Sequence, residues 1–266
     1  MNTNQYFSFT RFIKLIKSDW LINYKKYILL FLTMLAIGYV FIYLNLPKRA
    51  YEGSSVFDAN RYLNLLNISL FALIAFIGTS FPAFNSKKTA RIYMLTPAST
   101  FEKYSAQFLG RIVITFILFL FAFWLDANLA RLTVLGTIKE NTPKIEAFSY
   151  SDLLRILKKD EFSHIFMPFL LLSTAMFFFA IRLFFNRNGI LKTSLTFISF
   201  LFGIYLLFVL FSHIFYPETK GFDVHTSEYE VIRNLESGQI LGIIIVSVSW
   251  IFLLVLGFFK LKEKEV

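Results

Sequence analysis

Cysteine is absent from this chain of 266 residues, and charged residues make up only 17% of it. The lack of cysteine excludes disulfide bonds and thiolate metal sites. A soluble domain of this size has a charged fraction near one quarter, so the low value argues against a soluble fold. No stretch rich in glycine, serine or proline is long enough to divide the chain, which predicts a single domain over residues 1–266.

Catalytic and nucleotide-binding motifs are also missing. The sequence contains no G-x-x-x-x-G-K-[ST], no H-E-x-x-H and no G-x-S-x-G, so it predicts neither a P-loop, nor a zinc protease, nor a hydrolase nucleophile. Histidines at positions 164, 213 and 225 are more typical of interfacial or solvated sites than of metal ligands. We therefore predict that the chain is not an enzyme and holds no cofactor or metal.

What the sequence has in excess is apolar and basic residues. It is 56% hydrophobic and contains 35 phenylalanines, more than a single soluble core needs. A net charge of +10 suits nucleic-acid binding only where a folded soluble domain presents a basic face. The long hydrophobic runs leave little room for such a face, so membrane lipid is predicted as the surroundings and nucleic acid is not predicted as a partner.

Six segments are long and apolar enough to cross a membrane as helices, which takes about 20 residues each. The predicted fold is therefore all-α, a polytopic membrane protein with six transmembrane helices. The spans are predicted at about 27–46, 63–84, 111–136, 165–185, 193–216 and 240–259.

The distribution of basic residues predicts the orientation of these spans. With the N-terminus inside, the inner segments hold about 16 basic and about 4 acidic residues, against about 11 and about 13 in the rest of the chain. These inner segments are residues 1–26, 85–111, 182–192 and 260–266. The N-terminus lacks the features of a cleavable signal peptide. Both termini are therefore predicted in the cytoplasm, on a bacterial inner membrane.

Residues 1–26 are predicted to hold an amphipathic helix that lies along the membrane. Phe12, Ile13, Ile16 and Trp20 form an apolar stripe, and Arg11, Lys14 and Lys17 lie mostly off it, where they can meet anionic headgroups. Two interpretations stay open, a basic membrane anchor and a lever that lies against a cytoplasmic partner.

The inner loop between the second and third spans, residues 85–110, is longer than a simple connection requires. Ser99 and Glu102 have the spacing of a capping box, which predicts a short helix from Thr100 to about Leu109. Phe101, Tyr104 and Phe108 would form its apolar stripe. A contact with a cytoplasmic partner and a helix that rests on lipid headgroups are the two interpretations.

Two outer loops are predicted to carry short helices, near residues 150–159 and 228–236. Within the third span, Asp126 and Arg131 are polar residues that either satisfy each other or water near the outer end, or line a translocation path.

The arrangement resembles the permease subunits of ABC-2 type transporters. The stretch from Lys87 to Lys103, with Leu95-Thr96-Pro97 followed by Ser99 to Glu102, is similar to the run that leads into the coupling helix of such permeases. The resemblance in topology covers nearly the whole chain, and the motif about 20 residues. The commoner Leu-Pro of the family is replaced here by Leu95-Thr96-Pro97.

The resemblance implies an ATP-driven transporter, typically an exporter, in which two permease subunits pair and separate ABC ATPase subunits dock beneath them. The helix that begins at Thr100 would enter a groove of the ATPase, braced by the N-terminal helix. Ser99, Thr100, Phe101, Glu102, Lys103, Tyr104 and Phe108 would form the coupling site. The alternative is a membrane protein that scaffolds or confers immunity without transport, which explains the spans but not the long capped loop.

Overall fold

The protein is almost entirely helical. The computed structural model describes residues 7–47, 56–137, 144–157, 161–186, 188–215, 230–232 and 235–265. Its helices are α1 (Phe9–Asn45), α2 (Ala59–Ile77), α3 (Lys87–Met94), α4 (Thr100–Phe108), α5 (Thr115–Thr137), α6 (Tyr150–Leu157), α7 (Glu161–Ile181), α8 (Gly189–Phe215) and α9 (Ser237–Glu265). A π-helical segment, Leu109–Ile114, joins α4 to α5, and 3₁₀ turns lie at Pro82–Asn85 and Arg182–Phe184.

The chain packs as two compact units. The first combines Met1–Ile74 with Pro97–Lys159, and the second combines Ala75–Thr96 with Asp160–Val266. Each unit is built on one extensive helix pair, α1 with α5 in the first and α7 with α9 in the second.

The first unit has a continuous core at one end of the α1–α5 pair. Ile42 of α1 and Leu46, the residue after its end, pack there with Ala127, Ala130 and Val134 of α5. Small residues allow two membrane helices to approach closely, and the two alanines are the small residues of α5 at this contact.

An ordered cap covers this end of the first unit. The amide of Phe57 donates to the carbonyl of Lys144, and the amide of Glu146 donates to the carbonyl of Phe57. Phe148 packs edge-on against Phe123 and Tyr150, at 5.2 and 4.9 Å between ring centroids. Burial raises the pKa of Tyr150, whose hydroxyl donates to the carbonyl of Leu120 at 2.6 Å. The predicted outer helix is confirmed as α6 over its described residues.

Among the residues that the structure describes, five helices are long and apolar enough to span a membrane, as expected of a multi-pass membrane protein. These are Tyr27–Asn45, Thr100–Thr137, Phe166–Phe184, Gly189–Phe211 and Gln239–Glu265. They correspond to the first, third, fourth, fifth and sixth predicted spans. Helix α2 ends at Ile77 rather than near residue 84, because a turn and the 3₁₀ turn at Pro82–Asn85 interrupt the apolar stretch. It is not among the five.

Two further predictions, one on a helix boundary and one on an element type, differ from the structure. Helix α1 runs without a break through residues 26 and 27, so the predicted interface helix and first span are one helix of 37 residues. The predicted outer helix near residues 228–236 is wrong over its described part. Two antiparallel strands occupy Glu230–Ile232 and Leu235–Glu236 instead, because main-chain pairing between them replaces the helical hydrogen bonds that capping-box spacing suggests.

Candidate functional site

Helix α4 begins with the predicted capping box. The hydroxyl of Ser99 accepts a hydrogen bond from the amide of Glu102 at 3.2 Å, and the carboxylate of Glu102 accepts one from the amide of Ser99 at 2.9 Å. Each side chain satisfies an amide that has no partner within the helix. The helix starts at Thr100, as predicted, and the cap fixes its first turn.

The carboxylate of Glu102 also binds the start of α1. It accepts from the amide of Ser8 at 2.5 Å and from the guanidinium of Arg11, with Nη2 at 3.0 Å and Nε at 3.2 Å. Glu102 is fully buried, whereas Arg11 is partly exposed. A buried carboxylate is tolerated when hydrogen bonds and a cation satisfy it, and both are present here. We call this contact the α1–α4 junction.

Aromatic rings also pack between the start of α1 and α4. The ring of Phe7 lies 5.7 Å from that of Phe12 and 6.0 Å from that of Phe101, the latter edge-on. Aromatic pairs in this geometry add about 0.5–1.5 kcal/mol each beyond the area that they bury. The junction therefore has an apolar and an ionic component, and both link α1 to α4.

The predicted coupling residues of α4 divide into buried and accessible ones. Glu102, Lys103 and Tyr104 are buried. Ser99, Thr100 and Phe108 are half-buried, and Phe101 is 51% exposed. The α1–α4 junction uses the carboxylate of Glu102 within the first unit, and the coupling role of Glu102 and Lys103 stays a prediction. Phe101 is the member of this set best placed to meet a partner.

The predicted interface residues of α1 lie on both faces of the helix. Arg11, Phe12 and Ile16 are half-buried on the side that approaches α4, and Lys14, Lys17 and Trp20 are exposed. Ile13 is exposed as well, so only part of the predicted apolar stripe is buried against the rest of the unit.

A polar network that the sequence analysis did not identify lies next along α1. The hydroxyl of Tyr27 donates to Asp19 at 2.5 Å, and the side chain of Asn23 donates to the same carboxylate at 3.0 Å. The ring of Tyr27 stacks on Trp20 and lies 5.1 Å from the guanidinium carbon of Arg111. Arg111 belongs to the π-helical segment, so the network links this segment to α1. The spacing of Asp19, Asn23 and Tyr27 along one helix face was the available signal.

Helix α3 was also missed. Ser86 caps it by accepting from the amide of Thr89 at 3.2 Å, and Tyr93 packs edge-on against Phe84 at 5.8 Å between ring centroids. Two large apolar side chains are exposed here, Ile92 in the helix at 60% and Leu95 directly after it at 76%. A serine before a basic run, followed by apolar residues three apart, is the signal that could have predicted it.

Asp126 and Arg131 do not pair with each other. The guanidinium of Arg131 donates to the carbonyl of Ile145 at 3.0 Å, in the cap of the first unit. Asp126 is 2% exposed and packs on the backbone of α1 at Gly38, where an added Cβ would lie 2.3 Å from its carboxyl oxygen. Among the residues that the structure describes, none donates a hydrogen bond to Asp126.

Within the described ranges, no three residues of the kind that bind metals come together. No family model, curated protein or solved structure matches the chain. The α1–α4 junction with the exposed ring of Phe101 is therefore the candidate site of the first unit on the strength of its geometry. In the second unit, taken by itself, the candidates are the exposed side chains of Ile92 and Leu95.

Proposed function

We propose that this chain is the membrane-spanning subunit of an ATP-driven ABC transporter of the ABC-2 type, an exporter in which separate subunits hydrolyse ATP. The observation that carries the proposal is the α1–α4 junction. A short, fully capped helix follows a basic inner loop, is bonded to the start of α1 and continues into a candidate span. This arrangement suits the transfer of a displacement from a cytoplasmic partner to the membrane helices.

The proposed topology has six spans and both termini in the cytoplasm of a bacterium, with α2 as the second span. Contacts within each unit support it. In the first unit, residues of the predicted inner segments meet at the α1–α4 junction, and residues of the outer loops meet in the cap around Phe57. In the second unit, Asn85, Asn186 and Lys264, from three predicted inner segments, take part in hydrogen bonds at one end.

The proposed coupling contacts are exposed apolar side chains in the inner loop, considered unit by unit. The first unit offers Phe101, and the second unit offers Ile92 and Leu95. Exposed apolar residues of this size are typical of protein interfaces, where aromatic and large aliphatic side chains fill pockets of the partner. Glu102 has a different proposed role, which is to hold α4 against α1 so that the two helices move together.

The proposed mechanism needs two copies of the permease, identical or paralogous, and a pair of ABC ATPase subunits. ATP-driven closure of the ATPases would displace α4. The ion pair with Arg11 would pass the displacement to α1, and the π-helical segment would pass it to α5. Membrane lipid surrounds the apolar faces, and nucleic acid has no part.

Co-purification tests the proposal. The tagged chain, expressed at its native level and extracted in mild detergent, should retain a P-loop ATPase in stoichiometric amount, identified by mass spectrometry. Leu95→Asp should remove the ATPase, because it places a charge where an apolar contact is proposed. Phe101→Asp should do the same. Leu154→Asp is the matched control, since Leu154 is similarly exposed on α6, on the proposed outer side.

A preparation of the wild-type chain without an ATPase would overturn the transporter proposal and favour a scaffold or immunity protein. Equal loss of the ATPase in the Leu154→Asp control would reject the assigned surface. Circular dichroism of each purified variant separates loss of binding from loss of fold.

A further inference from the structure

A short turn in the second unit gathers four positive charges. The turn consists of residues 182–186 and connects α7 to the segment before α8; we call it the 182–186 turn. Arg182 is its first residue. The ammonium of Lys260 lies 4.9 Å from the ring centroid of Phe184, and that of Lys192 lies 5.9 Å from the ring centroid of Phe185. Lys264 donates to the side-chain oxygen of Asn186 at 2.7 Å.

Arg182 is built into this turn and is almost completely buried. Its guanidinium donates to the carbonyl of Phe185 and to the side-chain oxygen of Asn85. Gly189 opens the space beside it, since an added Cβ there would lie 2.2 Å from the guanidinium carbon. Both acceptors are neutral, so the turn holds a buried cation that no described carboxylate neutralises.

The lysines around the turn have donors to spare. The ammonium of Lys192 donates no hydrogen bond to any residue of the described ranges, and that of Lys264 uses one of its three N–H groups on Asn186. Lys260 pairs with Glu263 at 2.8 Å. Four cations thus gather at this turn, and like charges held this closely raise the energy of the site unless an anion joins them.

The anion is expected at the edge of the apolar region. Helices α8 and α9 expose large apolar side chains along most of their length, including Leu201, Phe252 and Phe259. Lys192 lies near the start of α8, and Lys260 and Lys264 lie near the end of α9. A ligand that carries both a phosphate and acyl chains would match charged and apolar surface together.

We propose that the 182–186 turn, with Lys192, Lys260 and Lys264, is a binding site for a phosphate group, supplied by the headgroup of an anionic phospholipid. Lysine recognises phosphate as a point charge, and the aromatic rings beneath the ammonium groups hold them in place. The site goes beyond the proposed transport function, and it requires only that the chain lies in a membrane.

Lipid exchange into nanodiscs tests the site. The full chain is reconstituted in phosphatidylcholine with increasing phosphatidylglycerol, and bound lipid is measured by native mass spectrometry. The double variant Lys260→Gln/Lys264→Gln should bind phosphatidylglycerol about 25-fold more weakly than wild type, at about 1 kcal/mol for each basic residue. Glutamine removes the positive charge and keeps a polar side chain with N–H donors, so the variant tests the charge.

Lys262→Gln provides the matched control. Lys262 is exposed and lies two residues from both Lys260 and Lys264, on the other side of α9. The Lys262→Gln variant loses one positive charge, as each substitution of the double variant does, and should bind phosphatidylglycerol as tightly as wild type. Equal weakening in this variant would overturn the site, because it would mean that headgroups respond only to overall charge.

Inorganic phosphate, added to protein in phosphatidylcholine alone, distinguishes the source of the phosphate. Thermal stabilisation of the wild type by millimolar phosphate, lost in the double variant, would confirm the site and assign it to a soluble phosphate rather than a lipid. No response of the wild type to either phosphatidylglycerol or phosphate would overturn the proposal. Neither result depends on an ATPase, so failure here and failure of the transporter proposal are separate outcomes.

Discussion

The carboxylate of Glu102 has two structural roles, and a single substitution would remove both. It caps α4 through Ser99 and binds Arg11 of α1. Glu102 is fully buried while Arg11 reaches solvent, so the two partners are not equivalent. Loss of Arg11 leaves a buried charge without a cation, whereas loss of Glu102 leaves a guanidinium that water can reach.

A double-mutant cycle measures the contact between these two residues. Glu102→Gln is expected to lower the free energy of unfolding by about 2 kcal/mol, because hydrogen bonds to a charged acceptor contribute about 1.5–3 kcal/mol and Arg11 is partly solvated. Arg11→Gln combined with Glu102→Gln should cost clearly less than the sum of the two single changes. Denaturation in detergent micelles, followed by circular dichroism, gives the four values, and Lys14→Gln on the exposed face of α1 is the control. Additive effects would show that the two side chains act independently.

The sequence predicted the two hydrogen bonds of the capping box but not the ion pair between Glu102 and Arg11. A capping box involves residues three apart, and its geometry follows from local backbone structure. Ser8 and Arg11 lie more than 90 residues from Glu102, and no local pattern predicts which cation meets a buried carboxylate at that separation. The same reason explains why the contact of Arg131 with the carbonyl of Ile145 and the approach of Gly189 to Arg182 were not predicted.

At the scale of helices, the contact between α1 and α5 is close at one point. Gly38 faces Asp126 with no room for a methyl group. The flanking residues Ala127 and Ala130 are completely buried, so the two helices approach through small side chains.

Gly38→Ala is expected to destabilise the α1–α5 pair by about 1–3 kcal/mol, the usual cost of overpacking a tight contact. Adding Asp126→Ala to the same chain should recover most of this loss, because it removes the atoms that the new methyl group meets. Gly110→Ala is the matched control. A Cβ at Gly110 meets nothing within 4 Å, so this substitution should stabilise by about 0.5–1 kcal/mol. Thermal unfolding in detergent measures all three, and a neutral Gly38→Ala variant would contradict the close approach.

Helices were predicted well where apolar length determines them and poorly where their ends depend on packing. Five of the predicted spans coincide with long apolar helices. The end of α2 was placed too late, since an apolar run does not show that Phe81 takes a left-handed conformation with φ of 54°. The continuity of α1 was missed because an amphipathic segment and an apolar one can share one helix without any sign at the boundary.

At the scale of the whole molecule, the proposed orientation can be measured directly because the chain contains no cysteine. Single cysteines are introduced at Ser151 and Lys88, both exposed, and intact cells are treated with a membrane-impermeant maleimide. Ser151→Cys should be labelled and Lys88→Cys should be labelled only after the cells are opened. The reverse pattern would contradict the assignment of both termini to the cytoplasm. The cysteine-free parent chain controls for background.

The unbroken course of α1 has a mechanical consequence. A helix of 37 residues is about 55 Å long, nearly twice the hydrocarbon thickness of about 30 Å. If the tight contact at Gly38 is its fulcrum, the arm toward Arg11 measures about 40 Å and the arm toward Asn45 about 10 Å. A rigid rod with these arms reduces displacement and multiplies force. A sideways shift of about 4 Å at the Arg11 end becomes about 1 Å at the far end, with a roughly fourfold larger force.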